Sequence, residues 1–184
     1  MIRYLLLVVD MSRAASAQDL RPNRLACILG LCRSFIREFF DQNPLSQLGI
    51  AIMRNGLVEK LTDLSGSPEA QVAKLDAGKL GSPAGDASLQ NALDLSVSLL
   101  RSLPPYGHRE LLVVFSALAT CDPGNVLDSA KACKANNIRG DGRHIRCGAE
   151  RDAPGTAAAS ALLTTPSHVG AGQSRAGANG FSPA

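Results

Sequence analysis

An α/β fold is predicted for this chain, with an open, mostly parallel sheet, helices on both faces and one antiparallel edge strand. The first observation is the apolar run 4–9, which ends abruptly at Asp10. Short, wholly apolar runs are typical of parallel strands buried on both faces. The second is that similar runs at 48–53 and 111–115 alternate with helical patterns. The third is Asn55-Gly56, a tight-turn pair that predicts a hairpin with 57–61 as its outer strand.

The helices between these strands have recognisable boundaries. Pro22 suits the first turn of a helix over 22–41, which carries one wide apolar face. A weaker helix is predicted over 67–80. Ser88 is expected to cap a helix that runs to about residue 103. Asp122, followed by a proline, is expected to cap a further helix that ends near residue 135.

Composition narrows the class of protein. Hydrophobic residues make up 45% of the 184 positions, aromatic residues only 4%, and the formal net charge is +3. The basic residues are scattered, so the sequence lacks the basic stripe of a nucleic-acid-binding protein. No apolar run approaches the ~18 residues that span a bilayer. The five cysteines show no paired spacing, which favours reduced thiols over a disulfide framework or a zinc site.

The C-terminal quarter of the sequence differs from the rest. Residues 138–139 look like the first step into another strand, but from 140 onward Gly, Ala, Ser, Pro and Arg dominate without periodicity. We therefore expect a folded domain over 1–139 and a disordered tail over 140–184. A sheet that stops at residue 139 would leave the second edge of strand 111–115 unpaired, and we expect such a product to be marginally stable.

Several local segments resemble one family. They are RPNRL (21–25), FDQNP (40–44), SQLGI (46–50), KLT (60–62), LSG (64–66), FS (115–116) and TCDP (120–123). Together with the strand that ends in Asp-x-Ser, they resemble the von Willebrand A domain subunit of the general transcription and DNA-repair factor TFIIH. The resemblance covers 1–139. Family members also carry an N-terminal extension, further strands and helices, and zinc-binding domains, so we expect this sequence to represent a truncated form.

The resemblance implies a function without catalysis. It implies a nuclear subunit that binds and stimulates the XPD-type helicase in nucleotide excision repair and in transcription initiation by RNA polymerase II. The other TFIIH subunits are the further partners it implies; no cofactor, direct nucleic-acid contact or membrane is expected. Two alternatives remain at this stage: a metal-dependent adhesion-type domain of the same fold, and a truncated splice product without independent function.

A metal site is not expected. Many von Willebrand A domains bind a divalent cation through Asp-x-Ser-x-Ser after the first strand, a threonine in a middle loop and a later aspartate. Here Asp10 and Ser12 are present, but the next position is Ala14 and the middle loop has Ala87 beside Ser88. Hard cations require several oxygen ligands. Asp10 and Ser12 are therefore interpreted as a degenerate remnant that accepts hydrogen bonds from loop amides.

Protein binding is the remaining prediction. The loop after strand 111–115 contains Leu118, an apolar residue without a periodic reason to be buried, and apolar anchors dominate small interfaces. In the family this edge implies contact with the helicase. The predicted partner-binding residues are Leu118, Thr120, Cys121 and Asp122, with Ser12 and Arg13 beside them. The alternative is that this loop only caps a helix, which applies most strongly to Asp122.

Overall fold

A computed structural model describes residues 2–144 as one sheet with helices on both faces. The strands are β1 (Arg3–Asp10), β2 (Gln47–Arg54), β3 (Leu57–Lys60), β4 (His108–Phe115) and β5 (Ile138–His144). The helices are α1 (Arg24–Gln42), α2 (Pro68–Lys74), α3 (Ala77–Leu80), α4 (Leu89–Leu100) and α5 (Val126–Ala135), and a single 3₁₀ turn spans Arg13–Ser16. Among the described helices, none combines the length and apolarity needed to cross a bilayer.

The sheet has β1 at its centre. The strand order is β3-β2-β1-β4-β5, and β1 pairs in parallel with both neighbours, so that Leu7 lies opposite Ile50 on one side and Leu112 on the other. Among the strands that the structure describes, only β3 is antiparallel, and it pairs with β2 at one edge. The predicted fold class is confirmed, and the apolar run that suggested it is the innermost strand.

The alternation of side chains along β1 divides the core into two layers. Leu5, Leu7 and Val9 pack on one face with the apolar stripe of α1. Tyr4, Leu6 and Val8 pack on the other face with residues of α4 and α5. Because successive side chains of a strand point to opposite faces, one apolar run supplies both layers.

The predicted hairpin is confirmed. Asn55 and Gly56 have φ angles of 54° and 71°, both in the left-handed region. Two such residues in a row are the signature of the tight turn whose twist matches that of paired strands. The turn sets the register in which Met53 lies opposite Val58.

The C-terminal boundary of the sheet differs from the prediction. The expectation that the sheet stops at Arg139 is wrong, because β5 continues to His144 and pairs in parallel with β4 along its length. The second edge of β4 is therefore paired, and the instability expected from an open edge has no structural basis there. Residues 140–144 of the predicted tail belong to the sheet, while 145–184 lie outside the described residues.

Two helix predictions are also corrected. The segment predicted as one helix over 67–80 is two short helices, because Asp76 adopts an extended conformation and its side chain accepts a hydrogen bond from the Gly78 amide at 3.1 Å. Helix α1 begins at Arg24 rather than Pro22, capped by Asn23, which accepts from the Ala26 amide at 2.8 Å. The predicted cap of α4 is confirmed, since Ser88 Oγ accepts from the Asn91 amide.

Candidate protein-binding site at the carboxyl edge

Asp10 ties together the loops that follow β1 and β4. Its side chain is fully buried at the carboxyl end of β1. Oδ1 accepts the amide hydrogen of Ser12 at 2.7 Å, and Oδ2 accepts those of Ser116 at 2.7 Å and Ala117 at 2.9 Å. Backbone amides at a strand end need acceptors, and one carboxylate supplies three of them here. The two loops named in the sequence prediction therefore lie side by side.

A third loop, over 81–88, joins them through backbone hydrogen bonds. The Arg13 amide donates to the carbonyl of Gly85 at 2.8 Å, and the Cys121 amide donates to the carbonyl of Ala87 at 2.7 Å. Gly85 has a φ of +64°, a conformation that favours glycine. The three loops form one continuous surface at the carboxyl edge, which we call the edge surface (residues 11–16, 81–88 and 116–125).

Asp122 has a different role from the one predicted. It does not cap α5, which begins at Val126 with Asn125 as its cap. Instead, Oδ1 of Asp122 accepts from Ser88 Oγ and from the Gln90 amide, both at 2.8 Å, and so serves the N-terminus of α4. Oδ2 accepts from Thr120 Oγ1 at 2.6 Å. Asp10 therefore holds the first residues of loop 116–125, and Asp122 attaches the later part of the same loop to the N-terminus of α4.

The predicted site residues differ in accessibility. Leu118 is 47% exposed, and Thr120, Cys121 and Arg13 are also exposed. Asp122 is half-buried. Ser12 is only 1% exposed, so its side chain cannot meet a partner directly.

Leu127 adjoins the edge surface and was missed by sequence reasoning. It is 48% exposed at the start of α5, directly after loop 116–125. The signal was present, because Val126, Ala130 and Cys133 follow the helical spacing and pack inward. Leu127 lies one position outside this buried face of α5, so the helical spacing alone would have predicted that it is exposed.

Arg24 holds the loop after β4 from beneath the edge surface. Its guanidinium donates to the carbonyl of Ser116 at 2.6 Å and forms an ion pair with Asp19. This pairing lowers the pKa of the Asp19 carboxyl below its ordinary value, chiefly through the side-chain hydrogen bond. The ion pair of Arg13 with Asp86, at 3.7 Å, is exposed on both sides and contributes little.

The residues at the cation position of this fold do not fit a metal ion. All three amide hydrogen bonds described above converge on Asp10, the single carboxylate there. The hydroxyls of Ser12 and Ser116 are buried without a partner in the described part of the chain. Ala87, the residue that the sequence comparison places near the family's threonine, has no side-chain oxygen to add. Across residues 2–144, no group of three or more His, Cys, Asp or Glu side chains could hold a metal. Two hydroxyls and one engaged carboxylate are too few ligands for a hard cation.

The mostly parallel sheet with helices on both faces and a carboxyl edge built from loops has the fold of a von Willebrand A domain, as a comparison with solved structures shows. The VWA domain of SpRpn10 superposes with a TM-score of 0.74 at 14% identity, covering 90% of this chain and 84% of that one. The protein BatB of Bacteroides thetaiotaomicron superposes with a TM-score of 0.63 at 18% identity, covering 76% and 65%. At these identities the similarity establishes the fold alone.

The chain belongs to the Ssl1-like family, whose model matches residues 8–148. General transcription factor IIH subunit 2 of Arabidopsis thaliana is 51% identical over 139 residues, which are 76% of this chain and 32% of that protein. The subunit of the same name from Dictyostelium discoideum is 42% identical over 140 residues, 76% of this chain and 30% of that protein. The family resemblance drawn from the local segments is confirmed. The chain spans about a third of the length of the curated relatives it matches.

Proposed function

We propose that this chain acts as a non-catalytic TFIIH subunit in the nucleus and that its edge surface binds and stimulates an XPD-type helicase. The role would serve transcription initiation and nucleotide excision repair. Membership of the Ssl1-like family and the names of the relatives support the assignment to TFIIH. The helicase contact is supported by the shape and composition of the edge surface.

The observation that carries the proposal is an exposed leucine on a loop whose two ends are fixed. Leu118 is 47% exposed. On one side of it the amides of Ser116 and Ala117 are held by Asp10, and on the other the Cys121 amide is held by Ala87. A loop that is already ordered loses less entropy on binding, so more of the contact energy appears as affinity.

The surroundings of Leu118 suit a small interface with an apolar centre. Leu127 is a second exposed apolar side chain at this edge, while Thr120, Cys121 and Arg13 supply a polar rim. Interfaces of this kind obtain most of their binding energy from a few apolar or aromatic anchors surrounded by polar residues. We therefore assign the contact to Leu118, Leu127, Thr120, Cys121 and Arg13. Asp122 and Ser12 hold the loops in place beneath it.

The carboxylates at this edge are structural. Asp10 and Asp122 accept hydrogen bonds from backbone amides and hydroxyls that belong to different loops. A carboxylate whose oxygens accept these hydrogen bonds orders the loops of the surface and is poorly suited to proton transfer. This supports a role in binding and regulation, with the chemistry performed by the helicase.

The test compares two exposed leucines. The full chain carrying Leu118→Glu is expected to bind a purified XPD-type helicase at least ~10-fold more weakly than wild type, because a hot-spot truncation costs ~1–4 kcal/mol. Stimulation of the helicase ATPase should fall in parallel. Leu45→Glu is the matched control, since Leu45 is 70% exposed and precedes β2 at the opposite edge of the sheet. Unchanged binding by Leu118→Glu, or an equal loss in both variants, would contradict the proposal.

A further inference from the structure

The hairpin turn at Asn55-Gly56 carries a side chain that can react with the adjacent backbone. Because glycine has no Cβ, the amide nitrogen that follows the asparagine is unshielded and can attack the asparagine Cγ. Asn55 and Asn179 are the asparagines followed by glycine, and Asn179 lies outside the described residues. Asn55 is exposed, so water can reach the ring that this attack would form. The pair therefore has the chemistry of a deamidation site.

Loop 81–88 holds the main chain of this turn. The backbone amide of Asn55 donates to the carbonyl of Ala84 at 3.1 Å, and the backbone amide of Gly56 donates to the carbonyl of Asp86 at 2.7 Å. Between these two bonds, Gly85 packs so closely that a Cβ there would lie 2.5 Å from Oδ1 of Asn55. Both backbone amides of the turn are therefore bonded to the loop.

These contacts oppose the reaction for two reasons. The Gly56 nitrogen must lose its hydrogen before it attacks, and this hydrogen is donated to Asp86. The main chain at Asn55 must also rotate to bring that nitrogen to Cγ, whereas the carbonyl of Gly56 is held by Asn91 Nδ2 at 2.6 Å. Loop 81–88 must therefore separate from the turn first, which is a local opening that needs no global unfolding.

We propose that Asn55 is a deamidation site whose reaction rate is controlled by the opening of loop 81–88. In the open form, the Gly56 nitrogen bonds to Cγ of Asn55, the Cγ–Nδ2 bond breaks, and the hydrogen of the Gly56 amide leaves with the side-chain nitrogen as ammonia. One water molecule then opens the cyclic imide. Attack at Cγ gives aspartate, and attack at the main-chain carbonyl carbon of residue 55 gives isoaspartate, in which the main chain runs through Cγ.

The isoaspartate product would alter the support of the edge surface beside Arg13. It adds a methylene group to the main chain of a turn in which both central residues have left-handed φ angles. The altered turn could no longer present its amides to loop 81–88 at the same positions, and the Arg13 amide bonds to the carbonyl of Gly85 in that loop. This chemistry lies within the chain and does not depend on the helicase contact proposed above.

The experiment follows Asn55 in the full chain at neutral pH by peptide mapping with mass spectrometry. In native wild type, Asn55 should deamidate at least ~10-fold more slowly than in the same chain unfolded in urea, because several hydrogen bonds must open first. In urea, Asn55 and Asn179 should react at similar rates, because both precede glycine. Methyl transfer from S-adenosylmethionine by an isoaspartate-specific carboxyl methyltransferase distinguishes isoaspartate from aspartate.

Two variants weaken the contact in different ways. Gly85→Ala places a Cβ against Asn55, and Asn91→Ala removes a hydrogen bond to Gly56 without adding a clash. Each should speed deamidation of Asn55 at least ~3-fold under native conditions. Ile138→Ala is the control for a general loss of stability, since Ile138 is buried at the opposite edge of the sheet, and its rate should stay near that of wild type. Circular dichroism checks that each variant is folded.

Three outcomes would overturn the proposal. One is an equal rate at Asn55 in native and in unfolded wild type, because the contacts would then give no protection. The second is a rate in Asn91→Ala and in any folded Gly85→Ala that equals the rate of wild type. The third is an acceleration by Ile138→Ala as large as that by Asn91→Ala, which would assign the reaction to global unfolding.

Discussion

The hydroxyl of Ser88 donates to the carboxylate of Asp122 at 2.8 Å, although the two residues are 34 positions apart in the sequence. The same carboxylate oxygen accepts the Gln90 amide, so a loop residue after β4 completes the N-terminus of α4. The orientation of loop 116–125 therefore depends on α4, and the stability of α4 depends on that loop. This dependence can be measured.

Replacing Asp122 by alanine should lower the free energy of unfolding by about 1 kcal/mol, the usual loss for a helix-capping acceptor. Asp122→Asn keeps an oxygen in place of Oδ1 and should lose less. Urea unfolding of the full chain provides the measurement. Asp94→Ala is the control, because Asp94 is exposed in the middle of the same helix, and its removal should change stability by less than ~0.5 kcal/mol. Equal effects at both positions would show that Asp122 has no capping role.

Replacing Asp10 by alanine should be far more damaging. It leaves the amides of Ser12, Ser116 and Ala117 without their acceptor at a buried site, and each unsatisfied buried group costs ~1–3 kcal/mol. We expect a loss of at least ~3 kcal/mol, measured as a shift of the urea midpoint. Asp10→Asn retains one oxygen and should fall between wild type and Asp10→Ala. A loss below ~1 kcal/mol for Asp10→Ala would contradict the role assigned to these bonds.

Magnesium should not stabilise this domain. Because the ligand set around Asp10 is incomplete, the melting temperature in millimolar Mg²⁺ should equal that in chelator, within the error of the measurement. Differential scanning fluorimetry of the full chain is sufficient. A saturable rise in melting temperature that disappears in Asp10→Asn would instead revive the adhesion-type alternative.

Two glycines should respond in opposite directions to alanine substitution. At Gly85, with φ of +64°, a Cβ would lie 2.5 Å from Asn55 Cα, so Gly85→Ala should cost about 2 kcal/mol or more. At Gly30, exposed in the middle of α1, a Cβ meets nothing within 4 Å, and Gly30→Ala should stabilise by ~0.5–1 kcal/mol. Chemical denaturation measures both. A neutral Gly85→Ala would mean that the contact between loop 81–88 and the hairpin turn is not rigid.

The thiol of Cys32 should make stability fall in alkaline solution. Burial raises the pKa of this thiol to about 12, above its ordinary value. A raised pKa means that the folded state favours the neutral thiol, so its contribution is complete below the unfolded pKa near 9 and is lost as pH rises towards 12. Between about pH 8 and about pH 10.5 the wild type should lose ~1–2 kcal/mol more than Cys32→Ala. Parallel decline in the two proteins would exclude this thiol as the cause.

The elements that were predicted correctly are those whose own residue pattern favours the structure that they adopt in the fold. The run 4–9, the Asn55-Gly56 turn and the Ser88 cap each carry enough local information to be recognised alone. Strand β5 does not, because Arg-Gly-Asp-Gly-Arg-His has low strand propensity. It becomes a strand because β4 offers it a row of backbone partners, from Arg109 opposite Ile138 to Phe115 opposite His144.

The candidate site shows the same division between local and long-range information. The exposure of Leu118 and the proximity of the Asp10 loop follow from the parallel sheet, in which all strand ends meet at one edge. The burial of Ser12 and the partner of Asp122 depend on how distant loops pack, which no local pattern records. Asp122-Pro123 looks like a helix cap in isolation, and tertiary packing assigns its carboxylate to a different helix.

Strand β4 joins the two edges of the sheet. It begins at His108 and ends at Phe115, directly before the loop that carries Leu118. Its eight residues extend about 26 Å, a distance greater than the thickness of a single helix. A partner on the edge surface would therefore leave the amino edge uncovered, and the sheet would act as a spacer between that partner and whatever is attached at the amino edge.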